Sequence, residues 1–578
     1  MSPDQTSAPQ IIVPVSVELA DWLWDRLDET VLVPQFENIV GQLLSRLNIP
    51  GQPLVSVQAS PNDLHPAGFI SLRVNDRVCS YSLQTVCWAY LAAGGPQPLD
   101  SIAAGRDLSP VLINAGPELL VRFVGYIFQE ALSVQPAILL GDAGLVEYER
   151  MLRLALRQAS RDLPSRDWLR RWLSAALDLN LKLPTPQKAA SLLRGWQEKS
   201  LPATCELLIA AQAPQYIELQ VERQTWQALS LSYTEDDKDL FKQFHENLFD
   251  MLGIELPPIH VTTPPDLPPG TYCLMINHLP SLLHPGLEPD QVLVQAGESE
   301  LNELGIPFKP AINPANRGRA AIVARSVLPS MKSQELTTWN PLSYLVLWLN
   351  GVIRERAYYF IALKAAENAL KHLGQVFPAL ESTAKEVVSP ERLAPVIRLM
   401  LAEGMPVGNL RQIVHSLMDM DFVIAGSDLL VIDERMQVAS PPDKTWMEDP
   451  AVAVEYVRSN MKYTIMEVFN NRELNLSAYL LDPGIEDLLR NPGVDTQVNL
   501  ETISEATRQG ILDAIRIDMD VELRDDGSYP SILTTQDVRP TLRRLLATEF
   551  PHLPVLSYQE LPTDVAITKL GQITGQTG

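Results

Sequence analysis

Apolar residues along this chain follow two rhythms, a period of two that marks strands and a period near 3.6 that marks helices. From Ile11 to about Arg106, short apolar runs at Ile11 to Val13, near Val55 and from Phe69 to Val78 alternate with amphipathic stretches at Ala20 to Leu27 and Phe36 to Leu47. This mixture predicts a small α/β unit. Pro117 then occupies a favoured first-turn position, with Leu120, Phe123, Val124 and Ile127 on one face, and helical patterning continues with breaks to about Gln197. Within it, Trp168, Leu169, Trp172 and Leu173 form a stripe read as core rather than as a cofactor surface.

The same order of blocks returns further along. Leu47-Asn48-Ile49, Pro53-Leu54-Val55 and Asp63 to Phe69 have counterparts in Leu252-Gly253-Ile254, Pro257 to His260 and Asp266 to Tyr272. Each series leads into a strand and then a helical tract, and a repeated unit constrains architecture more than any single element does. In the later copy, Thr234 with Asp237 is a capping signal for a helix from Leu240 to Leu252. Helices from Tyr344 to about Phe422 follow. The closing stretch predicts a helix at Leu500 to Ile515, strands at Ile517 to Leu523 and Ser531 to Thr534, a helix at Val538 to Glu549 and a last strand at Val555 to Tyr558.

The expected fold class is therefore multidomain α+β, with small α/β subdomains flanking helical bundles and a degenerate internal duplication of the first part. The segments are a tail at 1–10, an α/β unit at 11–110, a helical unit at 111–200, α/β subdomains at 201–335, which the family resemblance given below implies are one inserted in the other, a helical subdomain at 336–445 and a closing α/β subdomain at 446–578. Composition narrows the function. With 46 basic and 70 acidic residues the net charge is −24, and such a surface repels phosphate, which argues against nucleic acid or a bare anionic membrane as partner. Cys79, Cys87, Cys205 and Cys273 have neither zinc-ribbon spacing nor a disulfide framework, which fits a reducing, cytoplasmic setting. No apolar run approaches the roughly 20 residues that cross a bilayer, so direct membrane insertion is not expected.

Three motifs point to a family. Leu401-Ala402-Glu403-Gly404-Met405-Pro406-Val407-Gly408-Asn409-Leu410-Arg411-Gln412-Ile413 resembles the helix-turn-helix of the FHIPEP family, the large export-gate subunit of flagellar and virulence type III secretion systems. Leu533, Arg539-Pro540 and Leu542 resemble its strand and Arg-led helix, and Leu553 to Leu561 resembles its closing strand. The likeness extends from Ile217 to Gly571, and Pro257 to Ile276 resembles the family's early strand pair. The resemblance implies a non-enzymatic cytosolic receptor domain of four subdomains, of a kind that forms nine-membered rings and receives substrates and chaperones. The family's membrane half is expected to be missing here. By the same likeness, residues 11 to about 200 are an extra copy, with Ser165 to Leu193 answering to Ser389 to Leu417. Such a copy covers a ring contact internally, so a monomer or small oligomer is expected over a free nine-membered ring.

The partners implied by the resemblance are secretion substrates, chaperones or other type III apparatus proteins, docked at the periphery of a membrane secretion complex, with a homo-oligomer compatible with the chain. The alternative is a scaffold of this family turned to another assembly or signalling pathway. The inserted subdomain, about Asn277 to Ala311, reads as shortened, and beside it Leu279, Leu282, Leu283 and His284 are the expected partner-binding residues, apolar enough to seat an amphipathic helix. The competing reading is a loop packed on its own domain. No Walker sequence, GxGxxG, HExxH or GxSxG occurs, and no catalytic residue, cofactor or metal site is assigned. Gly141 to Gly144 reads as a plain turn. Asp518, Asp520 and Glu522 read as a solvated strand face, and the spacing of His260, His278 and His284 fits no zinc pattern.

Overall fold

Alternation of Val13, Val15, Val17 and Leu19 with Pro14, Ser16 and Glu18 makes β1 (Ile12–Leu19) a strand with one buried face in the computed structural model of the chain. The structure describes residues 11–60, 70–81, 116–156, 163–212, 216–231, 240–252, 256–426, 450–490, 503–519 and 530–574, apart from gaps of one to seven residues at 76 and within 256–426, 450–490 and 530–574. Two compact units emerge, one from 1–232 with 257–289 and the other from 233–256 with 290–578. The boundary cuts through the expected 201–335 segment.

In the first unit β1 pairs in parallel with β2 (Gln52–Ala59) and antiparallel with β3 (Ile70–Val74), which turns into β4 (Arg77–Tyr81), giving the order β2-β1-β3-β4. The crossover is α1 (Glu29–Leu47). It starts earlier than Phe36 because the Asp28 carboxylate accepts the Thr30 N–H at 2.9 Å, a capping signal ahead of the apolar stripe. The helix expected from Ala20 is a single turn, Asp21–Trp24. Next come α2 (Pro117–Val134), α3 (Asp142–Ala155), α4 (Arg166–Leu177), α5 (Pro186–Leu192) and α6 (Leu201–Ala211). Gly141 is the cap of α3, so the glycine turn is a helix start.

Phe36 stacks on Phe128 at 4.2 Å, tying α1 to α2. Leu169, Trp172 and Leu173 are buried, as the stripe predicted, and the Trp172 indole N–H donates to the Thr204 carbonyl at 3.0 Å. The unit closes with β5 (Ile217–Val221), α7 (Arg223–Leu231), β6 (Ile259–Thr262), β7 (Thr271–Ile276), β8 (Leu279–Pro280) and β9 (His284–Pro285). Here too the first strand pairs in parallel with the second, β6, and antiparallel with the third, β7. The cap expected at Thr234 and Asp237 lies outside the described residues.

The second unit opens with α8 (Leu240–Leu252). A sheet of order β11-β12-β10-β13 follows, from β10 (Gln291–Val294), β11 (Phe308–Ile312), β12 (Arg319–Ala324) and β13 (Thr338–Trp339), with α9 (Glu298–Glu303) beside it. This sheet runs on to Trp339, beyond the Ala311 at which the inserted subdomain was expected to end, because β10 needs β12 and β13 as neighbours to bury Leu293 and Val294. The helical tract is α10 (Pro341–Glu355), α11 (Leu363–Val376), α12 (Pro390–Ala402), α13 (Leu410–Gly426), α14 (Pro450–Asn460) and α15 (Lys462–Asn470).

A parallel sheet of order β16-β15-β14-β17 ends the chain: β14 (Asn475–Leu481), β15 (Ser531–Thr534), β16 (Val555–Ser557) and β17 (Ala566–Ile573). Its helices are α16 (Pro483–Arg490), α17 (Glu505–Asp518) and α18 (Arg539–Leu546). The strand expected from Ile517 is therefore corrected. Ile511, Leu512, Ile515 and Met519 continue a helical stripe into the core, so Asp518 ends α17 and accepts the Thr574 N–H at 2.7 Å. Asp520 and Glu522 lie outside the described residues. Among the described residues no helix is long and apolar enough to cross a membrane.

Candidate functional site

The segment expected to dock partners is an interrupted edge strand. Asn277, with a φ of 56°, turns β7 back on itself, and β8 and β9 both pair antiparallel with β7, Leu279 opposite Ile276 and His284 opposite Tyr272. Between them Ser281 stays on the sheet: its N–H donates to the Leu274 carbonyl at 2.7 Å and its hydroxyl accepts the Leu274 N–H at 3.0 Å. Leu279 is 1% exposed, so it is core and unavailable to a partner. Strand pairing over so short a turn forces its side chain inward. Leu283 and His284 are half-buried, and Leu282 lies outside the described residues. The His284 ring lies 5.4 Å from that of Tyr272, and burial lowers its pKa to about 3, so it is a neutral packing group near pH 7. Among the described residues no three His, Cys, Asp or Glu side chains are grouped to hold a metal.

A second cluster was not expected from the sequence. The residues at the heart of the three family-like motifs, Glu403 after α12, Arg539 in α18 and Glu560 after β16, converge in one buried ionic junction inside the second unit. Arg539 reaches Glu403 through two nitrogens at 2.7 and 3.2 Å, and its Nε donates to Glu455 Oε2 at 2.7 Å. Arg458 contacts Glu403 at 3.1 Å and pairs with Glu560. Glu560 also accepts the Ser557 N–H at 2.8 Å, closing a capping box on the turn after β16. Arg458, Arg539 and Glu560 are at most 1% exposed.

Burial alone raises the Glu403 carboxyl, but the charges of Arg539 and Arg458 outweigh it and hold the group at about 2. Glu455 moves the other way, pushed up by burial more than Arg539 brings it down. The junction is thus a set of mutually compensated charges that joins the helical tract to the closing sheet. A cavity of about 30 Å³ beside Glu403, Arg458 and Arg543 has room for a water molecule and not for a substrate. Sequence reasoning missed Glu455 and Arg458. Their one signal is a charged pair three residues apart among Ala453, Val454 and Val457, all of them buried.

Residues 185–566 match the FHIPEP family. The chain belongs to the FHIPEP family. Curated relatives of this FHIPEP chain include the low calcium response locus protein D of Yersinia pestis, 24% identical over 326 residues that make up 56% of this chain and 42% of that protein. The hypersensitivity response secretion protein HrcV of Ralstonia nicotianae is 26% identical over 346 residues, 58% of this chain and 44% of that protein. The chain therefore spans less than half the length of these relatives. The solved structure of the Chlamydia pneumoniae CdsV protein is similar with a TM-score of 0.52 and 24% identity, covering 62% of this chain and 98% of that one. This likeness supports the fold of the FHIPEP region. Glu403, Arg458, Arg539 and Glu560 all lie within the matched residues.

Proposed function

We propose that this FHIPEP chain is a non-enzymatic, protein-docking component of a type III secretion system that receives secretion substrates, chaperones or other apparatus proteins. The observation that carries the reading is the family match over residues 185–566, whose three motifs meet in a buried junction. Such a junction fixes the helical tract against the closing sheet, and a rigid pair of modules suits recognition by shape, since less ordering entropy is lost on binding. Relatives in the same family include the hypersensitivity response secretion protein HrcV named above, and the CdsV protein has also been solved in a complex with CdsO.

Docking is assigned to the outer edge formed by β8 and β9, with Leu283 and His284 as the accessible members. The test is binding of the host's own type III chaperone and substrate complexes to immobilised full-length protein. Leu283→Asp is expected to weaken binding about tenfold, as loss of one apolar anchor does, with an unchanged unfolding midpoint. Equal affinity of the variant removes this edge from the docking surface. Absence of binding to every such complex removes the secretion reading itself.

A further inference from the structure

Charge is unevenly spread along this chain. Residues 163–199 hold seven lysines and arginines against three acidic residues, in a protein that carries 46 against 70 overall. In the first unit this segment builds α4, α5 and the stretch leading into α6, and it brings two tryptophans together. Trp168 stands in the first turn of α4, where the Ser165 hydroxyl accepts its backbone N–H at 3.3 Å. Trp196 follows Gly195, whose φ of 69° turns the chain after α5, and it opens the single 3₁₀ turn before α6. The two rings lie 5.3 Å apart at 57°, and both are half-buried. Trp172, one turn on from Trp168 and 6.1 Å from it, is wholly buried and ties α4 to α6 through the Thr204 carbonyl, so the pair is supported from beneath.

The cations of this segment are not all engaged. Arg166 reaches Glu149 at 3.2 Å, and Arg170 pairs with Asp142. Arg194 and Lys199, two residues before Trp196 and three after it, are exposed and form no ion pair among the described residues. Tryptophan and arginine are the side chains in which the centres of protein interfaces are enriched, because an indole buries a large rigid face at little entropic cost and a cation beside it selects the partner's charge.

We propose that the Trp168 and Trp196 face docks an acidic amphipathic helix of a partner protein, which lays an apolar side chain on the indole rings and turns carboxylates towards Arg194 and Lys199. Net charge decides between the acidic partners. Nucleic acid or an anionic bilayer extends well past the patch and meets the field of a chain at −24, whereas a short helix interacts only within about 10 Å of the patch at physiological salt. This face shares no residue with the β8 and β9 edge, so its failure to bind would leave the docking edge and the secretion reading untouched.

Fluorescence anisotropy of labelled synthetic helices, titrated with the full-length protein, tests it. One probe of about 18 residues, long enough to hold a helix, carries leucines along one face and glutamates elsewhere; a second has lysines in place of the glutamates. The glutamate helix is expected to bind at least about tenfold tighter than the lysine helix, and to lose affinity as salt rises from about 50 to 500 mM. Trp168→Ala should weaken it at least about tenfold, as truncating an aromatic anchor does. Arg194→Glu combined with Lys199→Glu should do the same, and since both positions are exposed, circular dichroism should stay unchanged. Absence of binding up to about 1 mM, a preference for the lysine helix, or binding that neither change weakens overturns the proposal. Tighter binding of phosphatidylserine vesicles through the same residues overturns it too, because the face would then be a membrane contact.

Discussion

Removing the Arg539 guanidinium while keeping its aliphatic stem, as in Arg539→Met, tests whether the ionic junction holds the closing sheet on the helical tract. In the native fold this group bonds Glu403 at 2.7 and 3.2 Å, bonds Glu455 at 2.7 Å and lies 3.6 Å from Glu560. After its loss Glu403 keeps Arg458 at 3.1 Å, and Glu560 keeps Arg458 and the Ser557 N–H. Glu455 alone loses the cation that both its oxygens contact. Breaking a buried pair from one side costs about 3 to 5 kcal/mol, because an uncompensated charge stays behind. The matching change at an exposed pair, Lys364→Met beside Glu367, should cost at most about 1 kcal/mol. Urea unfolding gives the size of the loss, and hydrogen exchange over 450–460 and 555–561 locates it. Neutralising the stranded partner as well, in Arg539→Met with Glu455→Gln, should recover part of it. A single Arg539→Met variant within about 1 kcal/mol of the native protein would refute the reasoning, since an exposed pair would do as much.

The same junction should be acid-sensitive. Glu403 sits at about 2 in the fold against an ordinary 4.5, so its contribution is complete above 4.5 and is lost as pH falls towards 2, and acid unfolding curves of Glu403→Gln should be flatter across that window. His284 is held neutral down to about 3, whereas the unfolded chain takes up a proton near 6.5; stability should fall as pH drops below 6.5, and His284→Phe should remove that slope in pH-dependent urea titrations. Leu279→Ala should cost about 2 to 5 kcal/mol in urea unfolding as a core truncation, and a cost under about 1 kcal/mol would contradict its burial.

Much of the fold was legible because its signals are local. Pro117 at a helix start, the Trp172 stripe and the alternation in β1 depend on neighbours within a few residues, and the structure has them where the periodicity put them. The end of α17 was misread because alternating Asp518, Asp520 and Glu522 imitates a strand. The helical spacing of Ile511, Ile515 and Met519, which have a core to fill, prevailed. The candidate docking residues show the limit from the other side. Sequence marked 279–284 as apolar, but only pairing with β7 decided that Leu279 points inward and that Leu283 and His284 remain half-exposed.

By itself the sequence determined the alternation of α/β and helical blocks and the family, since caps, periods and motifs are written in contiguous residues. Tertiary structure alone decided that Glu403, Glu455, Arg458, Arg539 and Glu560, spread over 157 positions from the first to the last, form one junction. Charges that far apart in the chain carry no local sign of one another, and they become partners only when burial removes the water that would otherwise screen them.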